Sequence, residues 1–471
     1  MKKDYSEEIV DHCKLVDSRL EDRFGSIVDA LLANFGQSIP QSVVKQSQVK
    51  ATYNFFRHKD IECEMLVATE RERLVHTLRS EKPRVVLAIQ DTTELDYTDR
   101  RGSPDLGCMR YPETKGFYSH NHLIFNPNGL GLGIFDQVLW NYRPEEVGKK
   151  RENRKQTAFE DKASYRWYEQ FEALQDTFET LPDTTAISIT DREGDIHELL
   201  QARRLPTVHY IIRGRGDRSE DVSKINVRER LQSQPIVKTY EVTVPANHKN
   251  KKNKIPKRVA KVGLSYQNLT LNAPFRKKDS LIPVKPIDVT VVYVKEIDPP
   301  EDVKEPIEWV LYTSLSVHSM EDALQIVEYY KLRWLIEIFH FVLKQGAKVE
   351  QLDIETAHGL QNAIVTYAMI ALQVQNLRYA TQEYGQQPLD EVDNLEATSE
   401  DYKLLASFLN QKHQTQHPVD KIEPTVSDFF NLIAQLGGFQ FQKNREAGVK
   451  IMWRGWQQWR IIKQTALILR I

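Results

Sequence analysis

Four polar side chains punctuate the apolar stretch YYKLRWLIEIFHFVLKQG: Tyr330, Arg333, Glu337 and Lys344. On a helix turning about 100° per residue, Arg333, Glu337 and Lys344 lie about 60°, 20° and 40° from Tyr330, all on one side. Leu332, Leu335, Ile336, Phe339, Val342 and Leu343 fall opposite. One reading is a solvated stripe with an Arg333–Glu337 pair, worth roughly a few tenths of a kcal/mol. Trp334, Ile338 and Phe341 flank the line, however, which argues that something covers this face. Two further acids stand at the ends of apolar runs: Asp91 after RVVLAIQ and Asp191 after TAISIT, opening DREGD. Each alone is equally a turn or helix-cap aspartate. Two strand-end aspartates plus a later carboxylate also make an oxygen-ligand set for a hard divalent ion. Such ions clamp the attacking and leaving oxygens of an in-line displacement at phosphorus. Arg333 and Lys344 then suit phosphate oxygens, and Tyr330 supplies a hydroxyl.

These residues need elements to hold them. The chain has 471 residues, too many for one core, with 40% hydrophobic and 28% charged residues. Short helices are expected up to about Arg79, including QSVVKQSQVKATYNFFRH, whose aromatics serve either a DNA groove or a core. RVVLAIQDTT predicts a buried strand, and HNHLIFNPNGLGLGIFDQVLW predicts two strands around an Asn-Pro-Asn-Gly turn. TAFEDKASYRWYEQFEALQDTF and IHELLQARR predict helices, and TAISIT and VHYIIRGRG predict strands, an α/β pattern. KTYEVTVPA, RVAKVGLSYQNLTL and PIDVTVVYVKEI form a β-rich insertion before the strand EWVLYTSL. The tail from about Val374 is helical.

The net charge of -2 leaves local patches to decide on nucleic acid. KNKKNKIPKR and KKRENRK are two such patches, either solvated loops or phosphate contacts. Cys13, Cys63 and Cys108 form no CxxC pair and suit a reducing compartment. No apolar run is long enough to span a bilayer, and MKKDYSEEIVDHCK has acids where a secretory leader needs apolar residues. A cytoplasmic protein, nucleoid-associated and with no membrane contact, is expected.

The spacing Tyr330-x2-Arg333-x3-Glu337-x6-Lys344 resembles the signature of bacterial cut-and-paste DDE transposases of the insertion-sequence-four family. AIQDTT and DREGDIH look like that family's two aspartate motifs, and ATYNFFRH, IEWVLYTS and LGGF extend the likeness. The resemblance implies a ribonuclease-H-like α/β core with Asp91, Asp191 and Glu337 as catalytic, metal-binding residues. It implies two Mg2+ ions per site, with Mn2+ able to substitute. It divides the chain into a helical DNA-binding domain at 1–79, a core at 80–218 and 306–373, a β-rich insertion at 219–305 and a helical dimerisation region at 374–471. Trp309 matches a tryptophan that stacks on a flipped base, a contact worth about 1–3 kcal/mol, and equally suits a core strand. Arg213 and Arg215 match basic positions near the site, His340 a signature-helix histidine, and Arg57 an end-contacting arginine. Phe341 stands where a close relative within the family has a lysine.

The implied reaction is hydrolysis at the transposon end, then attack of the freed 3′-hydroxyl on target DNA, with a hairpin intermediate in close relatives. The implied partners are double-stranded DNA, as transposon ends and target, and a second copy of the chain in a homodimer. The alternatives are a catalytically silent, transposase-derived DNA-binding protein and a simple metal-dependent nuclease.

Overall fold

A computed structural model describes residues 4–43, 45–100, 105–147, 158–221, 223–244, 258–275, 282–301, 303, 305–392, 395, 397–440 and 446–469. The basic runs at 149–155 and 249–257 lie outside the described residues. The chain forms two compact units: residues 1–82, 92–149 and 335–471 make the first, and residues 83–91 and 150–334 the second. Among the described residues no helix is long and apolar enough to cross a membrane.

The second unit is built on β1 (Val85–Asp96), whose residues up to Asp91 belong to it. β4 (Thr185–Thr190) pairs parallel to β1, and β5 (Val208–Gly214) parallel to β4. The central strands are near-continuous apolar runs because both faces are covered: Leu87, Ile89, Ile187, Ile189, Ile211 and Ile212 are all buried. The helix Tyr165–Phe178 lies beside this part of the sheet through the edge-on Phe171–Tyr210 ring pair. β6 (Lys238–Val244), β7 (Arg258–Leu271) and β8 (Ile287–Glu296) are antiparallel neighbours, and β8 pairs with β9 (Glu308–Thr313). β9 in turn pairs antiparallel with β5, so the β-rich insertion extends the same sheet.

The first unit contains the hairpin β2 (Gly116–Phe125) and β3 (Gly131–Trp140). Its turn is the expected Asn-Pro-Asn-Gly, with Gly129 at φ +93° donating to the Asn126 carbonyl. The helix Ala357–Tyr384 is buried along most of its length and on all sides, so it forms the centre of this unit. N-terminal helices Ser18–Ala33, Gln46–Phe56 and Cys63–Glu81 surround it, with Phe24, Phe55 and Phe56 in the core. The aromatics of NFFR are therefore core residues. The helices Ser399–His413 and Val426–Leu436 open with Thr-Asp capping boxes, and Val449–Leu469 follows.

The structure corrects the picture of one continuous signature helix. A first helix, Met320–Lys331, ends where Leu332 and Arg333 donate to the carbonyls of Tyr329 and Tyr330, three residues back instead of four. A second runs Trp334–Phe341, and Val342–Gly346 widens into a π turn closed by Ala347 N–H on the Val342 carbonyl. The tightened and widened turns break the 100° phase. Tyr330 is buried at 4% exposure, in keeping with a covered face. β1 also continues five residues past Asp91, because Thr92–Asp96 alternates into the first unit with Leu95 inward.

Candidate active site

In the second unit, the parallel register sets two acids side by side. Val85 to Ile89 face Thr185 to Ile189 one for one, so Asp91 and Asp191 each lie two residues beyond the last matched pair. Two residues is one full strand period, so Asp91, still within β1, shares a sheet face with Ile89, while Asp191 directly follows the end of β4. Asp191 caps the short turn Arg192–Gly194 and accepts from Glu193 N–H at 2.7 Å. Asp91 Oδ2 accepts from Arg333 Nη1 at 3.3 Å, with both side chains less than one-fifth exposed.

Tyr330 stands next to this pair. Burial pushes its hydroxyl pKa up, while the Arg213 and Arg333 cations act in the opposite sense and Asp191 adds to the rise. Arg213 also reaches this hydroxyl with its side chain, so the phenol and the guanidinium are neighbours. The half-buried Trp309 of β9 packs edge-on to the Tyr330 ring, with centroids 5.3 Å apart. Arg213 Nη2 donates to the Glu308 carbonyl at 3.4 Å, and Arg215 Nε to the Arg192 carbonyl at 3.3 Å. Burial, then the neighbouring Arg213 and Arg228, lower the pKa of Arg192. Three guanidinium groups crowd here around one carboxylate, Glu308, which pairs with Arg228 at 3.4 Å, so the excess positive charge favours an anion. Arg192 and Arg228 are absent from the sequence-based set. Arg192 adjoins Asp191 and could have been noticed there; Arg228 in NVRERLQ carries no local signal.

In the first unit, Glu337 sits half-buried in the first turn of Trp334–Phe341. Lys344 donates to the Glu94 carbonyl at 2.7 Å and pairs with Glu350 at 3.1 Å. His340 is buried and hydrogen-bonds Asn121 at 3.0 Å. Phe341 stacks on Trp453 with ring centroids 5.9 Å apart. Arg57 caps the end of helix Gln46–Phe56 and pairs with Glu355. The structure thus brings Asp91, Asp191, Arg213, Tyr330, Arg333 and Trp309 together within one unit. Glu337, His340, Lys344 and Arg57 belong to the other. Among the described residues, no three His, Cys, Asp or Glu side chains gather as a ligand set for a metal ion.

Two segments match known families. Residues 169–373 match the family described as transposase DDE domain, which spans Asp191 and Glu337 and starts after Asp91. Residues 2–61 match the family described as transposase DNA-binding. A DNA-binding segment followed by a DDE domain supports a DDE transposase.

Proposed function

We propose that this protein is a DNA transposase that binds transposon ends, hydrolyses the phosphodiester there, and joins the freed 3′-hydroxyl to target DNA. The observation that carries the reading is the matched register of β1 and β4, which sets Asp91 beside Asp191 with Arg333, Arg213 and Tyr330 around them. The three acids are hard oxygen donors and fit Mg2+ by their chemistry. Asp91, Asp191 and Glu337 would hold two such ions, which supply an activated water and charge neutralisation for in-line displacement.

The chain's own groups do the rest. Arg333, Arg213 and Arg192 bind non-bridging phosphate oxygens, and the Tyr330 hydroxyl donates one further hydrogen bond. Lys344 adds a point charge, and Trp309 offers its ring to an unstacked base. Positioning and electrostatics account for the catalysis, with no covalent enzyme intermediate. The parallel β1-β4-β5 order and the antiparallel β2-β3 hairpin support a ribonuclease-H-like core. A cut-and-paste route of the insertion-sequence-four type, like that of the transposase of transposon five, a hairpin step, a homodimer on DNA and a cytoplasmic location complete the reading.

The test is a strand-cleavage assay with Mg2+ on duplexes carrying the repeats that flank the gene. Asp91→Ala, Asp191→Ala and Glu337→Ala should each lose cleavage while binding the duplex as the native protein does. Retained cleavage in any one removes that residue from the site.

A further inference from the structure

The strand β2 carries SHNH, four consecutive polar residues, and all four are fully buried. Buried polar groups cost free energy unless they are satisfied, so their partners are informative. Gln137 Nε2 donates to Ser119 Oγ at 3.0 Å. Ser119 Oγ donates to Asn121 Oδ1 at 3.1 Å. That orients the Asn121 amide, whose Nδ2 donates to the Ser119 carbonyl at 3.1 Å and reaches His340 Nε2 at 3.0 Å. The relay runs in one direction, so His340 Nε2 must accept. An imidazole that accepts at Nε2 is neutral and carries its proton on Nδ1.

His340 and Glu337 are three residues apart on the same helix, about 60° around it. The start of that helix is also held, because buried Gln375 donates to the Leu335 carbonyl at 3.1 Å. Gln375 at one end and Asn121 at the other tether the helix at two points. The neighbouring residue, His120, bonds Thr92 Oγ1 at 2.8 Å, one position from Asp91 in the chain.

We infer that Asn121 is a positioning residue: it ends a buried relay from Gln137 and Ser119, fixes His340 as the neutral Nδ1–H tautomer, and so sets the roll of the helix that carries Glu337. The inference rests on the catalytic role proposed for Glu337. Partners that orient groups around a metal site typically cost roughly 10–100-fold in activity when removed.

The relay is read directly by 15N NMR of the full-length protein labelled at histidine. His340, assigned by its loss in His340→Leu, should show an unprotonated Nε2 and a protonated Nδ1. A protonated Nε2 in the native protein overturns the inference. Ser119→Ala, a mild change, should release the amide and mix the tautomers; an unchanged spectrum counts against the relay. Asn121→Leu should lower kcat for cleavage roughly 10–100-fold with Kd for the end duplex unchanged. In the His340→Leu background the same change should have no effect, whereas an additive loss overturns the assignment. Glu337→Gln separates the two readings. If it still cleaves, the catalytic proposal fails, while the tautomer result still decides the relay.

Discussion

Gly455→Ala should destabilise the C-terminal helices, although alanine is the better helix former. Gly455 lies within Val449–Leu469, where an added Cβ would stand 1.9 Å from the Ile433 carbonyl oxygen and 3.1 Å from Gly437 N. The contact is reciprocal: a Cβ on Gly437 would meet the Ile451 carbonyl oxygen at 2.1 Å. Both obstacles are backbone, so no side chain can swing aside. Restoring even a 3.0 Å approach from 1.9 Å parts the two helices by about 1.1 Å. A gap of about 0.5–1 Å forfeits roughly a quarter to a half of each dispersion contact. The contacts at stake include the Phe429–Trp459 and Phe430–Trp456 ring pairs. Overpacking of this kind costs about 3 kcal/mol or somewhat more, against about 1 kcal/mol gained in helix propensity. The net loss is about 2 kcal/mol. Gly448→Ala is the control, since a Cβ there meets nothing within 4 Å and its φ is ordinary. Denaturant unfolding followed by tryptophan fluorescence, with hydrogen exchange of residues 449–469, measures both variants. A Gly455→Ala protein as stable as the native one, or one no weaker than Gly448→Ala, refutes the close-packing argument.

Cys13 and Cys63 are buried, and burial pushes their thiols up to about 11 and about 12, with Glu64 adding to the rise at Cys63. At pH 8 the thiolate fraction is on the order of one in a thousand or less, so a disulfide reagent should label neither until denaturant is added. Fast labelling of the native protein would contradict this. The Arg258 guanidinium holds the buried Glu296 below the usual carboxylate range. Its stabilisation is full above the unfolded value of about 4.3 and fades as pH falls through the depressed folded value. Glu296→Gln should therefore flatten the acid limb of a stability–pH curve, and an unchanged limb would show the pair to be silent. Trp309→Ala should weaken base stacking by about 1–3 kcal/mol, read as slower cleavage with a fluorescent base analogue left stacked. Normal unstacking in the variant would return Trp309 to a packing role.

The α/β alternation, the hairpin turn and the strand-end position of Asp191 were legible because each is written locally, in apolar runs and turn residues, whereas β1 runs on past Asp91. The break between Met320–Lys331 and Trp334–Phe341 was not, because a switch from four-back to three-back hydrogen bonds leaves no mark in the apolar pattern. Treating the segment as one helix put Tyr330 on a covered polar line with Arg333, Glu337 and Lys344, and the burial of Tyr330 agrees with the cover while the single helix does not hold. The pairing of β9 with β5 joins residues far apart in the chain, so the insertion's place in the sheet was equally hidden. Asn121 and Gln137 carry no local signal, and only three-dimensional contact ties them to His340.

The β1–β4 ladder is also a ruler for mutation by insertion or deletion. Losing one residue between Val85 and Asp91 would turn the Asp91 carboxylate to the far face of the sheet, because side chains alternate along a strand. Losing two would keep the face but pull the carboxylate back by about 7 Å. Length changes in the turn at Asn126–Gly129 leave that ladder untouched. Among descendants of this gene that keep Asp91 beside Asp191, the spacing from the start of β1 to its aspartate should be the same number of codons, whatever happens to the loops.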